Sequence, residues 1–256
     1  MKPLAGKGIV VTRPTAQAQA LARMIEDAGG RPVLFPAIEI RDVEDLDPFM
    51  NLVDRLDEFD YAIFISPNSV ERSMKLISAR RKLPPGLRIA TIGGGGVRAL
   101  EAHGVTGVIA PQDRHDSEGL LELPAFAVVS FKRVVIFRGA GGREHLSETL
   151  RERGAAVEYA ECYYRYRPDL DPAPLHKAWE RGELDAVTVT SSEGLHNLFE
   201  MVGEAGRERL ARTPLFVPHP RIAEAARELE VQTVVVTGPG NGGLLTGLSA
   251  FFSTRR

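Results

Sequence analysis

Asp185-Ala-Val-Thr-Val-Thr-Ser-Ser-Glu-Gly-Leu-His-Asn-Leu198 joins a short apolar run to the start of an amphipathic one. Ala186 to Thr190 is a short apolar run rich in β-branched residues, the mark of a strand buried on both faces. At Ser191 the period changes: Leu195, Leu198, Phe199 and Val202 recur at i, i+3, i+4 and i+7, one face of a helix. Thr190, Ser191, Ser192, Glu193 and Gly194 lie between, where the free N–H groups of a first helical turn point outward and favour an anion. The plain alternative is that Ser191 is an N-cap with no ligand.

The stretch has a twin in Asp60-Tyr-Ala-Ile-Phe-Ile-Ser-Pro-Asn-Ser-Val70. Asp60 to Asp185 and Ser66 to Ser191 are each 125 positions, as are Arg13 to Arg138, Leu21 to Leu146 and Gly29 to Gly154. Leu120-Leu121 returns as Leu244-Leu245 after 124. One long offset with a slip of one residue argues for a duplicated unit and is too long for a solenoid. In the twin, Ser66 is the expected N-cap and Pro67 the first helical residue, with Val70, Met74 and Ile77 as the buried stripe.

Outward from these two stretches, strands are expected at Ile9–Thr12, Tyr61–Ile65, Ile89–Ile92, Val108–Ala110, Val134–Phe137, Leu215–Val217 and Thr233–Thr237. Helical spacing follows most of them, and Pro32–Ile40 and Val157–Arg167 read as long extended runs. Pro172 and Pro174 break the second run. About five strands alternate with helices in each unit, an α/β pattern of parallel, helix-covered sheets. In such sheets the strand-to-helix turns share one edge, where ligands bind. Those turns are Arg13-Pro14, Ser66-Pro67-Asn68, Gly93–Gly96, Arg138–Arg143, Ser191–Gly194, Pro218–Arg221 and Thr237–Gly243. They combine Gly, Ser, Thr, Asn and Arg with almost no acids, which suits a molecule with several carboxylates or phosphates.

Composition narrows the function. The 256 residues carry a formal net charge of −2, which argues against a general nucleic-acid binder. A hydrophobic share of 43% with 26% charged residues marks a soluble globular chain large enough for two domains. Cys162 is the one cysteine, so no intramolecular disulfide forms. No segment reaches a membrane span, and the N-terminus has no apolar signal region, so a cytoplasmic location is expected. Gly93–Gly96 fails the dinucleotide spacing at Arg98, and no phosphate loop, nucleophile elbow or metal spacing occurs.

With these residues in view, the chain resembles the uroporphyrinogen-III synthase family. The resemblance covers nearly the whole length. It rests on Val11-Thr-Arg-Pro14, Ser66-Pro-Asn-Ser-Val70, Ile92-Gly93, Ser117-Glu-Gly-Leu-Leu121 and Arg138-Gly-x-x-Gly-Arg-Glu144. Tyr164 followed by Pro168, Thr190-Ser-Ser-Glu-Gly194, Thr237-Gly-Pro239 and Gly243-Leu-Leu245 complete it. Ile65 stands where the family often has a Thr before the Ser, and Gly96 where a Thr often follows the Gly turn.

The resemblance implies two flavodoxin-like lobes joined by two extended connector strands. The residues alone would divide the chain near 125. The family's fold implies instead a discontinuous terminal lobe, 1–38 plus 168–256, and a middle lobe, 39–167, with connectors near 33–40 and 157–167. It implies an enzyme that cyclises hydroxymethylbilane, a linear tetrapyrrole with eight carboxylates, to uroporphyrinogen III. Water is lost and ring D is inverted, through an azafulvene and a spiro intermediate. It implies no cofactor and no metal, no nucleic acid or membrane partner, a monomer, and transfer of substrate from hydroxymethylbilane synthase.

Tyr164 is the implied general acid. The implied substrate-binding residues are Arg13, Ser66, Asn68, Gly93, Gly94, Arg138, Gly139, Arg143, Ser191, Ser192, His219 and Thr237. The competing reading is a non-catalytic two-lobed protein that binds a small anion, for instance in regulation, since the turns alone serve either purpose. A nucleotide-dependent transferase lacks its phosphate motifs. A phosphorelay receiver would need acids where Arg13, Ser66 and Ser191 stand.

Overall fold

Short β-branched runs form strands and the amphipathic stretches between them form helices across residues 2–112, 114, 116–142 and 144–254, which the computed structural model describes. The order begins β1 (Gly8–Val11), α1 (Thr15–Asp27), β2 (Arg31–Leu34), β3 (Glu39–Arg41), α2 (Asp47–Asp54), β4 (Tyr61–Phe64), α3 (Pro67–Arg80), β5 (Arg88–Thr91) and α4 (Gly94–Ala102). Then come α5 (Ser117–Leu121), α6 (Pro124–Ala127), β6 (Arg133–Gly139), α7 (His145–Glu152) and β7 (Ala156–Tyr166). The last part holds α8 (Ala173–Glu180), β8 (Ala186–Thr188), α9 (Ser192–Met201), α10 (Gly203–Arg212), β9 (Leu215–Val217), α11 (Pro220–Glu228), β10 (Val234–Val236) and α12 (Gly240–Ser253). Two compact units result: Met1–Ile40 with Tyr166–Arg256, and Arg41–Arg165.

The first unit, which holds both chain ends, is built on the sheet β10-β9-β8-β1-β2. Its pairings are parallel. Numbered within the unit, this is the 2-1-3-4-5 order of a doubly wound sheet. Alternate residues of each strand feed opposite faces. Ile9, Val11 and Phe216 pack under α1 and α12 with Leu21, Leu244 and Leu248. Val10, Val187 and Val217 pack on the other face with Leu195, Leu198 and Ile222 of α9 and α11.

The middle unit is built on β3-β7-β6-β4-β5. Ile63, Val134 and Ile136 meet Leu120, Leu146 and Leu150 on one face. On the other, Phe64 stacks on Phe137 at 4.6 Å.

The strand pairs of the two sheets correspond in register. A shift of 125 turns Gly8–Arg31 into Arg133–Ala156. It turns the partners Tyr61 and Val134 into Ala186 and, shifted back, Ile9, which also pair. It turns the bridge Ala90–Ile109 into Leu215–Val234.

Three sequence expectations need correction. Val108–Ala110 is not a strand; Ile109 makes a single bridge to Ala90. The run Pro32–Ile40 is interrupted, because the Phe35 and Ala37 N–H groups donate to Val11 and Thr12 carbonyls while β2 and β3 join different sheets. Pro172 and Pro174 open α8 rather than only breaking β7, since a proline in a first turn loses no helical hydrogen bond. Helix α10 escaped sequence reading because only Gly206 and Leu210 of it are buried, too few to show a period.

Candidate functional site

Strands β1, β4, β5, β6, β8, β9 and β10 each lead into a helix at their carboxyl edge, so within a unit these turns lie on one rim. On the middle unit's rim, Ser66 is the N-cap of α3. Its Oγ accepts the Ser69 N–H at 3.1 Å, and Ser69 Oγ accepts the Ser66 N–H at 3.0 Å, a reciprocal capping box. Asn68 sits in that first turn. Gly93 is the N-cap of α4 and Gly94 its first residue. A Cβ on Gly95 would stand 3.1 Å from Pro67, which lets the two helix starts lie close.

Tyr163, only 2% exposed, brings its hydroxyl to 3.2 Å from Ser66 Oγ. A Cβ on Gly139 would stand 2.4 Å from the Tyr163 ring, so only glycine fits there. Arg138, only 3% exposed, is turned inward. Its Nη1 donates to Glu144 at 2.9 Å, its Nε to the Gly139 carbonyl at 3.2 Å and its Nη2 to the Gly141 carbonyl. Its guanidinium covers the Tyr159 ring at 4.5 Å. The Tyr159 hydroxyl, then Arg138, hold the Glu144 carboxyl below the usual carboxylate range. Arg143 lies outside the described residues.

The rim of the unit with both chain ends has the same helix starts and different fastenings. Ser191 is the N-cap of α9, its Oγ accepting the Gly194 N–H at 3.0 Å, and Ser192 begins the helix. His219 is the N-cap of α11, with Nδ1 accepting the Arg221 N–H at 3.2 Å. Thr237 Oγ1 donates to the Gly238 carbonyl at 2.9 Å. Gly243 is forced, since a Cβ there would stand 2.0 Å from the Gly238 oxygen. Arg13 donates from Nη1 to Asn241 Oδ1, while its Nε is buried with no acceptor. Burial pushes its pKa down.

The rim of the middle unit thus brings together Ser66, Asn68, Gly93, Gly94, Arg138 and Gly139, and that of the other unit Arg13, Ser191, Ser192, His219 and Thr237. Tyr164 lies on β7, 37% exposed, and by strand alternation it faces away from Tyr163. Sequence reading missed Tyr163 and Asn241. Two adjacent tyrosines on a strand signal that one turns inward, without saying which. Cys162 is buried, which raises its thiol to about 11 and keeps it protonated and unreactive near neutral pH. Among the described residues no group of three or more His, Cys, Asp or Glu side chains could hold a metal ion, and no helix is long and apolar enough to cross a membrane.

Doubly wound sheets, with rims of helix N-termini, hydroxyls and arginines, define an α/β protein whose rims suit anionic groups. The family model described as uroporphyrinogen-III synthase HemD matches residues 19–246, and the chain belongs to that family. It is 34% identical over 245 residues to the uroporphyrinogen-III synthase of Escherichia coli, covering 94% of this chain and 99% of that one. The Salmonella typhimurium synthase is 35% identical over the same shares. Among solved structures, a mutant uroporphyrinogen III synthase of Thermus thermophilus superposes with a TM-score of 0.68 at 22% identity, covering 98% of this chain and all of that one. The Helicobacter pylori enzyme gives 0.59 at 14%, over the same shares. These two likenesses establish the two-sheet α/β fold.

Proposed function

We propose that this chain is a cyclising hydro-lyase that converts hydroxymethylbilane to uroporphyrinogen III, losing water and inverting ring D. The observation that carries the reading is the nearly end-to-end match to the Escherichia coli synthase. The two rims supply what the chemistry asks for. The free bilane can close without inversion, so the protein's task is to hold the shape from which the inverted closure wins.

Helix starts at Ser66, Gly93, Ser191 and His219 present N–H groups to acetate and propionate side chains. Asn68, Gly94, Ser192 and Thr237 add polar or close-approach backbone beside them. Arg138 braces the Arg138–Glu144 turn with Gly139, and Arg13 offers its charge to a carboxylate. Arg143 belongs to the same substrate-binding set by its place in the family motif.

In the proposed route the Tyr164 hydroxyl gives its proton to the leaving hydroxymethyl oxygen. The C–O bond breaks and water departs as the azafulvene forms. Ring D attacks to give the spiro intermediate, which fragments and recombines with the ring inverted. No metal or cofactor is called for. The same reading takes the protein as a cytoplasmic monomer receiving its substrate from hydroxymethylbilane synthase. It takes the lobes as 1–38 plus 168–256 and 39–167, descended from one duplicated unit. The non-catalytic anion-binding reading is not favoured, since the end-to-end relatives are named as enzymes.

The test supplies freshly made hydroxymethylbilane and separates type I from type III product after oxidation. Protein-dependent type III product is expected; type I alone, at the uncatalysed rate, from folded protein overturns the proposal. In a protein that passes, Tyr164→Phe should lower kcat by about 100-fold or more if the hydroxyl is the acid. A full rate in that variant removes Tyr164 from the role.

A further inference from the structure

Helices α1 and α12 pack on the same face of their sheet, through Leu21, Leu244 and Leu248. Their starts meet. Arg13 directly precedes Pro14, the N-cap of α1, and Asn241 is the second residue of α12. Neither N-cap, Pro14 or Pro239, makes a side-chain cap bond, and neither first turn contains an acid. Two positive helix ends and a guanidinium are therefore gathered, and neither first turn supplies a negative side chain. Arg13 has a neutral amide oxygen as partner, and its Nε is buried without an acceptor. A cation held partly out of water is stabilised by a counter-charge that offsets its lost hydration.

The middle unit shows the same construction with the charge answered. Arg138, 125 positions on, is paired with Glu144 at 2.9 Å. There α5 starts at Asp116, whose carboxylate accepts the Gly119 N–H at 2.8 Å, and Glu118 follows in the first turn. The position matching Glu144 is Gln19, which is exposed. Among the described residues no carboxylate is paired with Arg13 as Glu144 is with Arg138.

We propose that Arg13 is a binding site for one carboxylate of an acidic organic substrate, and that Asn241 is its positioning residue, holding the guanidinium without neutralising it. Only the identity of the polyanion rests on the proposed function. Asn241→Asp separates the roles, because it keeps the shape and supplies the missing negative charge.

The probe is the oxidised product porphyrin, which keeps eight carboxylates. Its affinity is measured by fluorescence titration, with KM and kcat alongside. Asn241→Asp should weaken binding about 10-fold or more and raise KM, with kcat nearly unchanged, since the site is then occupied by its own carboxylate. The same change should raise the melting temperature by about 2–4 °C, as an acid at a helix start beside an arginine stabilises the fold. Asn241→Ala should weaken binding by about 3-fold or less, because the charge survives.

Equal weakening by the two variants, or none by Asn241→Asp, overturns the proposal. Should Asn241→Asp fail to fold, Arg13→Gln decides: a loss of about 10-fold supports the site, and unchanged affinity overturns it. Wild-type protein that binds the porphyrin and obeys this pattern, yet yields only type I product, removes the synthase reading and leaves the carboxylate site standing. Type III product with no response to these variants does the reverse.

Discussion

Lys7 reaches Asp185 at 2.7 Å, and Asp185 also accepts the Gly8 N–H at 2.8 Å. Lys132 reaches Asp60 at 2.8 Å, and Asp60 also accepts the Arg133 N–H at 2.9 Å. These brackets, one per unit, match position for position after a shift of 125, with the Lys and the Asp kept and a backbone N–H as the second donor, and both sit where strands begin. At the opposite edge, where strands end, the match of residue type often persists while the bonding does not. Arg138 is sealed by Glu144, and Arg13 meets only Asn241. Ser66 is touched by the Tyr163 hydroxyl, whereas Ile38 stands at the position matching Tyr163 and offers Ser191 no hydroxyl. The amino edge answers only to folding, so one bracket serves both units. The carboxyl edge carries the candidate binding turns, and there the fastenings of the two units differ.

The contrast breaks most readily at the two arginines. Arg138→Met should cost about 2–3 kcal/mol of stability, because it strips a buried, hydrogen-bonded cation from its carbonyls and from Glu144. Arg13→Met should cost no more than about 1 kcal/mol, since an apolar chain replaces a partly buried charge that has no carboxylate paired with it among the described residues. Urea midpoints for the pair decide it; equal losses would mean the rims are fastened alike after all.

A smaller difference separates the two capping serines. Ser191→Ala should cost about 1 kcal/mol, the ordinary value of an N-cap. Ser66→Ala should cost about 0.5–1 kcal/mol more, because the Tyr163 hydroxyl loses its partner as well. A double-mutant cycle with Tyr163→Phe measures that share, and a coupling near zero would show the Ser66–Tyr163 contact to be idle.

The smallest effect concerns the matched brackets. The hydrogen bond from Lys132, then that from the Arg133 N–H, hold Asp60 below the usual carboxylate range, against a desolvation cost that raises it. Its stabilisation is present above the unfolded value of about 3.9 and is lost as pH falls through the lower folded value. With both partners partly exposed, the contribution is at most about 1 kcal/mol. Asp60→Asn should therefore lose a little stability at neutral pH and show a flatter decline in acid. An unchanged acid limb in a pH series of melting temperatures would remove Asp60 from the account.

Much of this protein is legible in the order of its residues. The buried runs, the helix periods, the caps Ser66 and Ser191, and the offset of 125 all come from neighbours in sequence. Local hydrogen bonds explain why: Ser191 and its donor Gly194 are three residues apart. The short bridge at Ile109 and the weakly apolar α10 are harder, because neither carries a long period. What the order of residues does not convey is which of two like residues is already satisfied. Arg13 and Asn241 lie 228 positions apart, and Ser66 and Tyr163 lie 97 apart. Composition marks both arginines as candidate carboxylate binders. Only the folded chain shows one of them neutralised by its own turn and the other desolvated beside a neutral amide, because electrostatic pairing depends on distance in space and not along the chain.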